Sequence, residues 1–285
     1  MRWGEFTDEH GITIRYRVWE AVGAPRGVIA LLHGVGEHTG RYLKTAEAFA
    51  AAGWEVWADD HRGHGETGRL QHHGDLSQLG HLGPGGLRAT IAAVQQFLGI
   101  ARAAHPGLPF VLVGHSWGSL MGQIILNRTP ELFDAVVFTG TAYRMPGYMN
   151  AGDLNAKFKT LGSTGLEWLS RDQSVAQAFV DDELTTSVPL MKLFGVADAL
   201  RLMGTPAKHL GSDVPLLIMN GSKDAVGTEK SVRKLAQAYI KRSGLTDVTV
   251  MIYSGAHHEV FNETNQDEVR ADLLAWLDER FPRSV

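Results

Sequence analysis

Apolar and polar positions along this chain follow two rhythms. Short runs rich in β-branched and large aliphatic residues have the length of strands: "ITIRYRVW" (12–19), "GVIALLHG" (27–34), "WEVWADD" (54–60), "PFVLVGHS" (109–116), "DAVVFTGT" (134–141), "PLLIMNGS" (215–222) and "VTVMIYSG" (248–255). Most are apolar at consecutive positions rather than at every second one, which predicts strands buried on both faces of a sheet. Longer amphipathic segments at 41–52, 85–104, 117–129, 228–241 and 266–280 lie between several of them and predict helices. This alternation predicts an α/β fold, with a mostly parallel sheet flanked by helices on both faces.

The rhythm breaks once. From about 142 to 211 no strand pattern appears, and "VPLMKLFGVADALRLMG" is helical and rich in large apolar groups. The expected organisation is a sheet domain in two parts, 1–141 and 212–285, with a helical cap inserted over 142–211.

Composition narrows the function. A chain of 285 residues, 44% hydrophobic and 20% charged, can bury a full core. Its formal charge of −4 gives no basic footprint for nucleic acid or anionic lipid, so small uncharged or amphiphilic partners fit better. The absence of cysteine excludes thiol nucleophiles, disulfides and cysteine-based metal sites. The start, "MRWGEFTDEH", lacks the apolar core of a signal peptide, and the longest apolar runs fall short of the roughly 20 residues of a bilayer span. The expectation is a soluble, cytoplasmic protein without a transmembrane segment; oligomeric state has no signal.

The loop "LLHGVGEHTG" (31–40) follows a strand and precedes a helix, as a phosphate-cradling loop would. A second strand ends in Asp59 and Asp60, where a ribose-binding acid would lie. The spacing fails, however. Gly34, Gly36 and Gly40 give G-x-G-x-x-x-G, one residue too long, His33 blocks the approach of a phosphate, and no G-K-[ST] follows. A nucleotide cofactor is not expected.

A stronger signal stands in "VLVGHSWGS". Gly114-His115-Ser116-Trp117-Gly118 fits G-x-S-x-G, directly after an apolar strand and directly before a helix. A sharp strand-to-helix turn strains the serine, and glycines two positions either side let strand and helix approach. The new helix also turns its N-terminal N–H groups toward developing negative charge. A serine hydroxyl needs a base, and the base an orienting acid, which in sheets of this type follow in the order Ser, Asp or Glu, His. Asp224 lies at the C-terminal end of its strand; Asp134 begins a strand and Asp213 precedes one, both at the wrong edge. Asp224 could also simply cap its own turn. For the base, spacing leaves both His257 and His258. Oxyanion donors are expected from the N–H of Trp117, the residue after the nucleophile, and from the His-Gly loop, where Val35 N–H is the candidate.

Five blocks, "HGVGEHTGRY", "DHRGHGETG", "GHSWGS", "NGSKD" and "SGAHHEVFNE", resemble the monoacylglycerol lipase and lysophospholipase branch of the α/β-hydrolase superfamily, over residues from about 10 to the C-terminus. The resemblance implies an α/β-hydrolase fold with eight strands. It also implies His258 as the base, leaving His257 as a neighbour at the rim. The implied chemistry is ester hydrolysis through an acyl-enzyme, on monoacylglycerol-like or short to medium-chain esters, with no cofactor and no metal. The same three side chains would serve a lysophospholipase, lactonase, thioesterase, amidase or peptidase. A peptidase acting at a free amino terminus would want carboxylates near the serine, and "DDE" (181–183) is the one candidate. An intact set of Ser116, Asp224 and His258 argues against a non-catalytic binding protein.

Trp117 replaces the methionine usual in the family and is expected beside the acyl pocket. The segment after Asp224, "AVGTEKS", lacks the family's proline, and the cap matches only around "EWLSRD", so chain-length preference does not carry over. Tyr143, Met145 and Phe194 are candidate pocket residues, although apolar groups of the cap could equally form its own core. The cap is the part expected to touch lipid peripherally. His61 and His64 in "DHRGHG" have a metal-like spacing, but family members carry this motif as a structural loop.

Overall fold

The computed structural model describes residues 1–150 and 152–283. Eight strands, β1 (Arg2–Thr7), β2 (Thr13–Trp19), β3 (Gly27–Leu32), β4 (Trp54–Asp59), β5 (Phe110–His115), β6 (Ala135–Thr139), β7 (Leu216–Gly221) and β8 (Val248–Tyr253), form one sheet in the order β1-β2-β4-β3-β5-β6-β7-β8. From β4 to β8 the pairings are parallel, whereas β2 runs antiparallel to both β1 and β4.

Side-chain parity explains why the central strands read as unbroken apolar runs. Val28, Ala30 and Leu32 of β3, with Leu112 of β5 and Phe138 of β6, enter one core. Ile29 and Leu31, with Val113 and Val137, enter another on the opposite face. Each strand needs apolar groups at both parities, because both faces are covered. The first layer is closed by α3 (Gly86–Ala104), α4 (Trp117–Leu126) and α7 (Glu229–Ala238), the second by α1 (Leu43–Ala51) and α8 (Gln266–Arg280). These five helices are those the periodicity predicts, with ends shifted by a few residues.

Three elements have no counterpart in the pattern. β1 is an edge strand, exposed or half-buried throughout, so it needs no apolar run. Helices α2 (Gly65–Gln71) and α5 (Gln173–Asp181) are short, seven and nine residues, and bury little. The helical stretch expected near residues 188–204 appears as α6 (Leu190–Arg201), broken at Gly195, where φ is 71° and ψ is 173°.

Because β3, β5, β6, β7 and β8 run the same way, their carboxyl ends open at one edge of the sheet. His33, Ser116, Thr141, Asp224 and His258 all follow strand ends there, which is where α/β sheets place their chemistry.

Candidate active site

Ser116 stands between β5 and α4 with φ 49° and ψ −122°, a conformation that costs an L-residue of order 1–3 kcal/mol. The surroundings enforce it. Ser116 N–H donates to Thr139 O at 2.9 Å, and Ser116 O accepts from Leu120 N–H at 3.0 Å and from Ser119 Oγ at 2.6 Å. A Cβ at Gly118 would fall 2.4 Å from Leu32 O, and one at Gly114 would fall 2.9 Å from Ser119 Cα. The two glycines of the motif therefore permit the strand-to-helix crossing itself.

Asp224 follows β7 and uses both oxygens. Oδ1 accepts from Val226 N–H at 2.7 Å and Gly227 N–H at 3.1 Å; Oδ2 accepts from His258 Nδ1–H at 2.9 Å. The turn-capping role and the imidazole-holding role, alternatives in the sequence, coexist in one carboxylate. His258 is buried, and its Nε2 has no protein partner among the described residues. Its ring lies 4.8 Å from that of His115, the residue before Ser116, and 4.9 Å from that of Trp168. No hydrogen bond joins Ser116 to Nε2 in this conformation; such contacts often tighten only when substrate is bound. Burial lowers the His258 pKa, but the charge and hydrogen bond of Asp224, with Glu259 and Glu37 behind it, outweigh burial and leave it raised.

The loop after β3 passes close over the serine: a Cβ on Gly34 would lie 3.1 Å from Ser116 Cβ. Its shape is fixed by polar groups. His61 N–H donates to His33 Nε2 at 3.0 Å, which assigns the proton to Nδ1, and Nδ1–H donates to Gly34 O at 2.7 Å. Gly34 N–H donates to Glu37 Oε1 at 2.6 Å. Gly36 has φ 78°, and its carbonyl accepts from Thr186 N–H at 2.8 Å. Neither the Val35 N–H nor the Trp117 N–H has a protein acceptor among the described residues, and the latter opens α4, where intrahelical acceptors are lacking.

Sequence reasoning missed the group that braces this loop. Arg41 bridges Glu37 at 2.8 Å and Glu259 at 2.7 and 3.0 Å, while Tyr42 donates its hydroxyl to Glu37 at 2.7 Å. All are buried or nearly so. Burial alone would lower the Arg41 pKa, yet Glu259 and Glu37 raise it above the ordinary guanidinium value. The i, i+4 spacing of Glu37 and Arg41 was the only local signal of this pairing.

Other singled-out residues have structural work. Asp60 accepts from Thr39 N–H and Oγ1 and from Glu66 N–H, tying the loop after β3 to α2. His61 bonds Asp59 at 2.8 Å, and His64 donates Nδ1–H to Arg62 O at 2.9 Å, its pKa lowered to about 4 chiefly by burial. Asp134 accepts from Phe110 N–H, at the far edge of the sheet from Ser116. His257 is not at the rim. It is buried, donates its N–H to Glu263 at 2.6 Å and its Nδ1–H to Glu167 O at 2.9 Å, and lies 4.4 Å from the Phe158 ring. In the acidic "DDE" stretch Asp182 accepts from His38 Nε2–H at 2.8 Å and Asp181 from Gln177 Nε2–H at 2.8 Å, while Glu183 has no hydrogen-bond or ion-pair partner among the described residues.

The pocket candidates fare unequally. Phe194 of α6 lies 4.9 Å from the buried indole of Trp117, which also contacts His61 and His64. Tyr143 is half-buried against the same core and stacks edge-on to Tyr148 at 5.3 Å. Met145 is half-buried and is not among the apolar groups packed against that core.

Known proteins share this architecture. A monoacylglycerol lipase of Mycolicibacterium smegmatis is 34% identical, the alignment covering 95% of each chain. A human monoglyceride lipase is 25% identical over 93% of this chain and 86% of its own. Among solved structures, a carboxyl esterase from Bacillus coagulans superimposes with a TM-score of 0.83 at 22% identity, covering 99% of both chains. The model of the Hydrolase_4 family, described as "Serine aminopeptidase, S33", matches residues 23–265. No helix among the described residues is long and apolar enough to cross a membrane. The chain thus belongs to the Hydrolase_4 family and is a serine hydrolase of the α/β-hydrolase superfamily, akin to the monoacylglycerol lipases.

Proposed function

We propose that the protein hydrolyses carboxylic esters, monoacylglycerol-like or of short to medium chain, through an acyl-enzyme on Ser116. Ser116 Oγ attacks the ester carbonyl while His258 Nε2 takes its proton; the tetrahedral oxyanion is held by the N–H groups of Val35 and Trp117. His258 then gives the proton to the departing alcohol. Water repeats the sequence on the acyl-enzyme, and the carboxylic acid leaves. Asp224 keeps the imidazole in the Nδ1–H tautomer and balances the imidazolium that forms. The observation that carries this reading is the 2.9 Å bond from His258 Nδ1 to Asp224 Oδ2, which leaves Nε2 as the free nitrogen of a buried imidazole near a strained serine.

The interval between β6 and β7 acts in this reading as a cap over the substrate, with Phe194, Tyr143 and Met145 lining the acyl side. Its exposed Val180, Val188, Met191, Val196 and Leu200 support peripheral contact with lipid. The family's description favours a second reading, an aminopeptidase. That activity needs a carboxylate free to hold an α-ammonium group. Glu37 and Glu259 are taken by Arg41, Asp182 by His38, and Glu167 by Asn155 and Thr164; of the "DDE" stretch only Glu183 is without a partner among the described residues, so the ester reading is the better supported.

An alkyl fluorophosphonate tests the nucleophile, and a series of p-nitrophenyl esters beside aminoacyl anilides tests the substrate class. Covalent labelling at Ser116 with ester turnover is the expected result. Absence of labelling, or preferential cleavage of the anilides, overturns the proposal.

A further inference from the structure

Away from the serine, three arginines line one cleft. Arg88 on the first turn of α3, Arg128 just after α4 and Arg201 at the end of α6 face a cavity of about 360 Å³ whose apolar lining is Leu87, Ile91 and Ile124. Among the described residues no acidic side chain lines it. Among the described residues neither Arg88 nor Arg128 has a carboxylate within 4.0 Å, and Arg201 pairs only with Asp198 of its own helix. Asp198 is itself occupied, accepting from Leu87 N–H at 2.9 Å and so fastening α6 to the start of α3.

The positive charge extends inward. Arg144, 2% exposed, donates to Gln123 Oε1 at 3.0 Å and to Leu202 O at 2.6 Å, with no carboxylate partner among the described residues. Both acceptors sit next to cleft residues, Gln123 beside Ile124 and Leu202 beside Arg201. In a chain of net charge −4, this is a local excess of guanidinium over an apolar floor. The excess is too confined for a polyanion such as nucleic acid, which needs a broad basic surface. It fits one small anionic head, since guanidinium pairs carboxylate and phosphate through two parallel hydrogen bonds. Leu87, Ile91 and Ile124, each less than a tenth exposed, form a shallow apolar floor that a short alkyl stem can touch, and the volume lies at the small end of ligand sites.

We infer that the cleft between α3, α4 and α6 binds an anionic amphiphile, a carboxylate or phosphate head on a short alkyl stem, at a site separate from Ser116. The site touches the helix that begins after Ser116 and the helix whose Phe194 packs on Trp117, so its occupant bears on both. The inference does not depend on the hydrolytic reading, because it concerns binding alone.

Octanoate, octyl phosphate and octanol serve as probes, titrated calorimetrically into the full chain. Where Ser116 accepts an alkyl fluorophosphonate, the labelled protein is used, so that the acyl site is already filled; where it does not, untreated protein is used and only the hydrolytic proposal has failed. At least one of the two anions is expected to bind at least tenfold tighter than octanol. Reversing charge at two exposed positions, Arg88→Glu with Arg128→Glu, is expected to weaken the anion at least tenfold while the thermal midpoint stays unchanged. The tighter anion identifies the head as carboxylate or phosphate. Equal binding of octanol, no binding of either anion, or a doubly reversed variant that binds within twofold of the parent overturns the inference.

Discussion

A methyl group added at Gly118 would stand 2.4 Å from a backbone oxygen of β3, and one at Gly34 would stand 2.7 Å from Glu37 Oε1 and 3.1 Å from Ser116 Cβ. In the interval between β6 and β7, an added methyl at Gly147, Gly165, Gly195 or Gly211 meets nothing within 4 Å. At the sheet edge Gly118 thus lies against backbone and Gly34 against the Glu37 and Ser116 side chains. Both glycines are needed for space. Those four glycines of the interval take positive φ, and the interval is fastened by separate polar clasps: Thr186 to Gly36, Asp182 to His38, Arg171 to Glu263 and Asp198 to Leu87. Close packing leaves a group one position, whereas a clasp can be lost singly.

The contrast is sharpest at the serine. Ser116→Ala is expected to lower kcat by roughly 10⁶, about 8 kcal/mol, with little change in thermal midpoint. Ester turnover within tenfold of the parent, measured after removal of trace esterases, would sink the assignment. Asp224→Asn is expected to cost roughly 10⁴ in kcat, about 5 kcal/mol, by reversing the imidazole tautomer while keeping the shape. A loss smaller than tenfold would give the orienting role to another group. Glu37→Gln leaves Arg41 half-paired and weakens the hold on Gly34 N–H, so kcat is expected to fall about 10²-fold with KM nearly constant. A change in KM alone would detach the brace from the proposed oxyanion loop.

In the interval the expected effects are smaller and of another kind. Phe194→Ala is expected to alter the ratio of kcat/KM for octanoyl over butanoyl esters by about tenfold, about 1.4 kcal/mol, leaving the best kcat near that of the parent. A hundredfold loss of kcat on every ester would erase the distinction between the two regions. The mildest test is pH. His258 must be neutral to accept the proton, and its pKa is raised, so kcat/KM is expected to fall on the acid side with a midpoint above the ordinary histidine value of about 6.5. A midpoint below that value would contradict the Asp224 pairing. The same sign applies to folding: the protonated pair adds stability fully present below about pH 6.5 and lost as pH rises through the native pKa.

The sheet was legible because five central strands carry apolar groups at both parities, and the serine because its motif has a steric reason in Gly114 and Gly118. β1 was not, since an edge strand half in solvent has no apolar signature. Nor was the Arg41 brace, whose second carboxylate, Glu259, lies 218 positions away. His257 misled for a related reason. Adjacent histidines look alike to spacing alone; the family resemblance picks out His258, and the fold puts it against Asp224 and buries His257 between Phe158 and Glu263 rather than at the rim.

One clasp matters beyond its single hydrogen bond. Because the Gly36 carbonyl accepts from Thr186 N–H, the segment between β6 and β7 helps to hold the loop after β3 in place. Chimeras that exchange this segment for a relative's must bring a peptide N–H to the same point, or the graft alters reaction rate together with substrate choice.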